Sequence, residues 1–274
     1  MTRRTHALAA LAAALACWSA PLAAQHADDR YWFHLAGYRP SIESTARSDV
    51  LALDRPGTEV SFEDELGLAD RKTLPWFQAG LRFGERWRAE LEYFSLQRDG
   101  TRASGREIVW GDAVFPASAT LSSEFGSDVF RASLGYSLLR NDATEAGAVF
   151  GVHVTRFRIA LAGQAVVGNV SRAAQSEIEE ALVPLPTIGF YLKHDFSRAW
   201  SISGRFDWFG LKVDQYDGSL INAMVAGTWR ATDRFGVSLG YRYVDYSLDV
   251  TKPNWRGGVD YRFHGPFVAV QAGF

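Results

Sequence analysis

Along most of the chain, apolar and polar residues alternate with a period of two. Phe77, Ala79, Leu81 and Phe83 share one parity, against Trp76, Gln78, Gly80 and Arg82. Phe130, Ala132, Leu134, Tyr136 and Leu138 alternate with Arg131, Ser133, Gly135 and Ser137. Trp200, Ile202, Gly204, Phe206 and Trp208 oppose Ser201, Ser203, Arg205 and Asp207. At the end, Val268, Val270, Ala272 and Phe274 alternate with Ala269, Gln271 and Gly273. Such a pattern predicts strands with one apolar and one polar or small-residue face, as a closed transmembrane β-barrel requires.

Reading the alternation through the chain predicts ten strands, over 31–48, 74–83, 87–110, 120–139, 144–161, 184–193, 199–214, 220–230, 235–250 and 257–274. Pro40 predicts a bulge or bend in the first strand. In the last, Val259, Tyr261 and Phe263 have the opposite parity to Val268 and Val270, which predicts a bulge at His264-Gly265-Pro266. Residues 49–73 read as a charged excursion in which 59–62 extends the sheet. Residues 162–183 read as a second excursion, with a helical turn over 176–182 marked by Ser176 and Glu179. Asp217-Gly218 reads as a hairpin turn. The connections after strands two, four, six and eight are short, while the first and third on the other side are long. Short periplasmic turns and longer extracellular loops have this asymmetry. Eight or twelve strands are the alternatives, and a water-soluble sandwich is the competing fold.

Composition adds an address. Arg3 and Arg4 precede an apolar run over 7–16, and small residues follow at Ala20 to Ala24, so residues 1–24 read as a secretory signal and 25–274 as one barrel domain. Cys17 is the only cysteine and lies in that signal; it makes a partial lipobox match, a minor alternative. The full chain carries a net charge of −2; losing Arg3 and Arg4 makes it −4, since all 31 acidic residues lie beyond residue 24. A mildly acidic chain does not suggest a nucleic-acid partner. Aromatic residues form 14% of the chain. Trp87, Trp200, Trp229 and Phe235 fall beside the short turns, where a membrane-interface girdle belongs.

The inner face holds the candidate polar constellation: Arg82, Arg88, Glu90, Glu92, Arg131, His153, Arg205, Asp207 and Arg242. Charges in a narrow barrel need partners. Strand neighbours predict Arg82 and Arg131 against Glu90 and Glu92, and Asp207 near Arg242. Such a set either plugs the lumen or lines a path for small polar solutes, and a barrel of about eight strands is filled by side chains or holds one small ligand. Outer-membrane proteases are similar in architecture, with ten strands, acidic residues and a His-Asp pair near the outer rim. Here His194-Asp195 falls in a short turn, His153 has no acidic sequence neighbour, and His34 and His264 lie on the terminal strands. A hydrolase or acyltransferase at the rim is the second alternative. Glu63-Asp64-Glu65 lacks EF-hand spacing and reads as a solvated loop. No sequence motif calls for a metal or other cofactor.

With the leader, the SLGYSLL stretch at Ser133–Leu139, the SLGYRYVDY stretch at Ser238–Tyr246 and the terminal VAVQAGF, the chain resembles the small proteobacterial outer-membrane β-barrels of porin-like or uncharacterised families. That resemblance implies an outer-membrane location, lipids and lipopolysaccharide as surroundings, and barrel-assembly machinery that recognises Phe274 as a terminal aromatic. It also implies a monomer with a structural, surface-binding or limited-permeability role.

Overall fold

The computed structural model describes residues 29–50, 56–167 and 170–274. The leader over 1–24 lies outside the described residues. Fourteen strands appear: β1 Tyr31–Tyr38, β2 Ser41–Val50, β3 Val60–Ser61, β4 Leu74–Phe83, β5 Trp87–Ala103, β6 Ile108–Trp110, β7 Ala113–Phe115, β8 Thr120–Arg140, β9 Thr144–Val167, β10 Val170–Asp195, β11 Trp200–Val213, β12 Tyr216–Arg230, β13 Phe235–Lys252 and β14 Trp255–Gly273. Ten of them close an antiparallel ring in the order β1, β4, β5, β8, β9, β10, β11, β12, β13, β14, with β14 pairing back onto β1. Closure leaves no sheet edge in the ring. β2 continues β1 and also pairs with β14, while β3, β6 and β7 are short additions at one end.

The break between β1 and β2 falls at Arg39-Pro40, because Pro40 has no N–H for the ladder. No residue is inserted there. Tyr38 faces Phe267 and Ser41 faces His264, so three steps on one strand match three on the other. Gly265 lies against this break; a Cβ on it would come within 2.5 Å of the Arg39 carbonyl oxygen. The ladder from β14 to β13 is also unbroken through 264–266. The bulge expected at His264-Gly265-Pro266 is therefore absent.

The parity change has another cause. β14 alternates steadily, with Tyr261, Phe263, Phe267 and Ala269 facing in and Asp260, Arg262, Val268 and Val270 facing out. What changes is the surroundings. Near the short-turn end the outside is apolar and the inside polar. Towards the other end the inside is an apolar core and the outside is charged. β5 inverts between Tyr93, facing out, and Phe94, facing in; β8 inverts between Phe130 and Val129; β13 inverts between Tyr241 and Val244. The lower belt is built to face lipid and the upper part to face water. An arginine at Leu239, 65% exposed in the belt of β13, is expected to cost about 2–4 kcal/mol, the range for a cation on a lipid-facing barrel wall. An arginine at Thr251, exposed at the upper end of the same strand, should stay within about 0.5 kcal/mol. Denaturant titration of the two refolded variants measures both, and equal costs would contradict the inversion.

Several other expectations are corrected. β5 ends at Ala103, and Ile108 to Phe115 form the β6–β7 hairpin instead of prolonging it. Residues 162–183 are not a helical excursion; β9 and β10 extend there as one hairpin, with Ser176 opposite Leu161 and an irregularity between Glu180 and Val183. One helical turn has too few internal hydrogen bonds to compete with such a ladder. Asp217-Gly218 lies within β12, and the turn is at Asp214-Gln215, where Asp214 takes a left-handed φ of 50°. The loop expected over 251–256 is a two-residue turn between Lys252 and Trp255.

Candidate functional site

The lumen is occupied in layers. At the short-turn end lies an open vestibule, lined by residues including Trp32, His34, Arg82, Arg88, Tyr191 and Lys193. Above it comes the charge layer. Arg205 of β11 hydrogen-bonds Glu90 of β5 and grips Asp207 through Nε and Nη2 at 2.9–3.0 Å. Arg131 of β8 donates to Asp207 at 2.7 Å and to Glu92 at 2.6 Å. Arg242 of β13 donates to Glu92 at 2.7 Å and, through Nε, to Asn222 Oδ1 at 2.9 Å, and Asn222 returns to Asp207 at 2.8 Å. The loop of contacts closes on itself and joins β5 to β11, which lie apart in the ring. A closed set of paired charges avoids the penalty of a buried lone ion.

The arginine that sequence reasoning assigned to Glu90 or Glu92 goes elsewhere. Arg82 forms a two-point pair with Glu145 at 3.0 and 2.6 Å, and Ser137 also donates to Glu145 at 2.6 Å. Arg88 pairs with Glu90 and is held between two rings, its Cζ 4.7 Å from Trp32 and 4.4 Å from Tyr191. Gly80 makes room for this stack, since a Cβ there would lie 2.1 Å from the Trp32 ring. Asp207 and Arg242 do not pair directly; Asn222 bridges them. His153 faces inward and is buried, but it joins no carboxylate: its ring lies against Tyr246 and its Nδ1 has no hydrogen-bond partner. Glu145, Asn222 and Tyr191 were missed. Glu145 was legible, because it shares the inward parity of Gly151 and His153.

Above the charges the lumen is filled by apolar side chains. Phe94 packs edge-on to Phe263 at 5.7 Å, Phe125 lies 5.3 Å from Tyr261, and Trp76 meets Phe267 at 5.1 Å. Arg242 sits over both Trp76 and Phe94, so the two layers interlock. The excursion after β2 folds into the mouth. Phe62 and Leu66 are fully buried, and Phe62 lies 5.3 Å from Phe125. Glu63 fastens this segment by accepting from Arg98, the Ser44 amide at 2.8 Å and the Ser44 hydroxyl at 2.7 Å. Glu65 accepts from Arg106 at 2.6 Å, and that hydrogen bond holds its carboxyl below the usual range. Two of the three acidic residues at 63–65 are thus engaged by arginines. Among the described residues, no group of three His, Cys, Asp or Glu side chains is arranged to hold a metal.

Candidate catalytic groups are dispersed. His194 Nδ1 lies 2.8 Å from Thr144 Oγ1 at the short-turn end. His264 Nδ1 lies 2.7 Å from the Tyr241 hydroxyl near the upper edge of the apolar belt. His34 faces Gln78 and Gln271 on its neighbouring strands. Phe274 closes the ring: its amide donates to the Tyr31 carbonyl at 2.9 Å, and Arg234 lies 5.7 Å from its ring.

This architecture is that of a small bacterial outer-membrane β-barrel. No family model and no curated protein sequence matches the chain. Among solved structures it is similar to the outer-membrane protease OmpT of Escherichia coli, at 11% identity and a TM-score of 0.59, covering 91% of this chain and 98% of that one. It also matches the toluene transporter TodX of Pseudomonas putida, at 8% identity and a TM-score of 0.38 over 90% of each chain. A further match is OprG of Pseudomonas aeruginosa, at 11% identity and a TM-score of 0.35, covering 93% of this chain and 99% of that one. Likeness at these identities concerns the fold alone.

Proposed function

We propose that this protein is a sealed, non-conducting barrel of the outer membrane that presents a folded head at the cell surface. The doubly closed lumen carries this reading: a cross-barrel charge network lies beneath an apolar stopper with aromatic rings in contact. Ions would have to break the first and shed their water in the second. A narrow channel for small polar solutes is the reading this plug opposes, and a hydrolase or acyltransferase at the rim gains no support from the dispersed histidines. The lower belt suits lipid, the charged outer surface above it suits lipopolysaccharide and water, and Phe274 is available to assembly machinery at the end of the last strand. Export through a leader cleaved after Ala24 fits this address, and one chain completes the barrel as a monomer.

The surface assignment has a direct test. Cys17 is the only cysteine, so a cysteine at Asn254, exposed at the tall end, is a unique label site once the leader is removed. Intact cells carrying Asn254→Cys are expected to react with an impermeant maleimide. Cells carrying Asp142→Cys, in a short turn, should react only after the outer membrane is permeabilised. The opposite pattern would refute the orientation.

A further inference from the structure

One cation at the foot of the lumen stands outside the paired network. Lys193 of β10 lines the vestibule, and its side chain is 24% exposed. Among the described residues one carboxylate comes within 4.0 Å of its ammonium, that of Asp195, and Arg230 already holds it. Glu145 lies opposite Lys193 in the ladder but is spent on Arg82 and Ser137. The other three lysines are engaged: Lys72 with the Gln97 carbonyl, Lys212 with Asp217 at 2.9 Å, and Lys252 over the Trp255 ring at 5.4 Å. Around the vestibule stand four cations, Arg82, Arg88, Arg205 and Lys193, against three carboxylates, Asp29, Glu90 and Glu145. Further in, Arg131 and Arg242 are matched by Glu92 and Asp207, so the surplus of one positive charge persists. A surplus cation walled in by protein and lipid is costly, and an anion beside it relieves the cost.

Two hydroxyls share the wall with Lys193. Ser203 lies directly opposite it in the β10–β11 ladder, which sets their Cβ atoms roughly 5 Å apart. Ser201, 5% exposed, is the inward residue two positions away on β11. Both line the vestibule, and neither hydroxyl makes a hydrogen bond among the described residues. The cavity holds about 110 Å³ and opens at the short-turn end. A cavity of roughly 150 Å³ takes benzene, with six non-hydrogen atoms, so this one has room for about four. Water fits that space but brings no charge. A doubly charged phosphate would overshoot a surplus of one, and Glu90 and Glu145 on the same wall would oppose it. We propose that the vestibule binds a small monovalent carboxylate of acetate size, with one oxygen on the Lys193 ammonium and the other on the Ser203 hydroxyl. This goes beyond the sealed-barrel reading and does not depend on the lumen being non-conducting.

Acetate and acetamide match in size and shape and differ in charge, so the pair isolates the part played by Lys193. The full barrel in nanodiscs, with ¹³Cε-labelled lysine, gives one signal for each of the four lysines, at 72, 193, 212 and 252, and the signal missing from Lys193→Gln identifies Lys193. With ionic strength held constant by sodium chloride, acetate is expected to shift that signal saturably and acetamide to leave it in place. Ser203→Ala should weaken acetate about tenfold, the scale of one hydrogen bond to a charged group. Lys193→Gln should abolish saturation transfer from the barrel to the acetate methyl group. Should Lys193→Gln not fold, variants of the other three lysines assign the signal by elimination, and the contrast between acetate and acetamide in the wild-type barrel decides. A Lys193 signal that ignores acetate, a shift that grows linearly as with any counter-ion, an equal response to acetamide, or undiminished binding by Ser203→Ala would each overturn the proposal.

Discussion

Arg131→Met is expected to destabilise the barrel by about 3–5 kcal/mol, the cost of stripping one partner from a buried ion pair. Arg131 is the shared cation of Glu92 and Asp207, at 2.6 and 2.7 Å, and both carboxylates are about 2% exposed. Its loss leaves Glu92 with Arg242 across the barrel, and Asp207 with Arg205 and Asn222, so each keeps some compensation, but Glu92 loses its partner on the paired strand and Asp207 its tie to β8. A companion variant sharpens the reading. Adding Asp207→Asn to Arg131→Met removes the carboxylate that has lost its cation on β8 while leaving Arg205 with Glu90 and Arg242 with Glu92, so the double variant should lose less than the sum of the two single ones. Additive losses would argue that the residues act independently. Denaturant titration of the refolded protein measures both, and a change under about 1 kcal/mol for Arg131→Met would show that the network contributes little to stability.

Phe263→Ala is expected to cost about 3–5 kcal/mol, the usual range for emptying a buried phenylalanine site. Its ring touches Tyr38, Phe94 and Tyr261, with centroids at 6.0, 5.7 and 4.8 Å, and it is 1% exposed. Val268→Ala, on the same strand but facing out at 53% exposed, should cost far less, because lipid fills the space that the methyl groups leave. This contrast, read by the same titration, is specific to a barrel whose apolar face changes sides along its length. In a barrel with one apolar face throughout, residue 263 would be the weaker site.

The ring of ten strands was legible because alternation survives in nearly every strand, from Leu74–Phe83 to the terminal Phe274. Pro40 marked its own break through the donor it lacks. Inward parity also placed Arg82, Arg88, Glu90, Glu92, Arg131, His153, Arg205, Asp207 and Arg242 on one side; the structure buries all but Arg88, which lines the vestibule. Partner choice was legible only in part: Arg131 does meet Glu92, directly opposite it on the paired strand. Strand adjacency suggested Glu90 or Glu92 for Arg82, but long side chains in a narrow lumen reach past the next strand, and Arg82 meets Glu145 three ring positions away. The parity switch in β14 was visible and misread. A two-residue period records which side of a strand is apolar, not which side is inside. A bulge and a change of solvent therefore give the same signal. The hairpin after β9 was misread for a different reason: short-range capping at Ser176 and Glu179 carries no information on a strand it can pair with. The stopper was hidden as well, since Phe62 and Leu66 lie among acidic residues in a segment that reads as solvated.

Single-channel recording of the purified protein in a planar bilayer tests the sealed lumen most directly. The wild-type barrel should show no discrete conductance steps above the bare-membrane background in molar potassium chloride. Steps of uniform size from the wild-type protein would mean that water and ions pass both the charge network and the aromatic stopper, and would contradict the account.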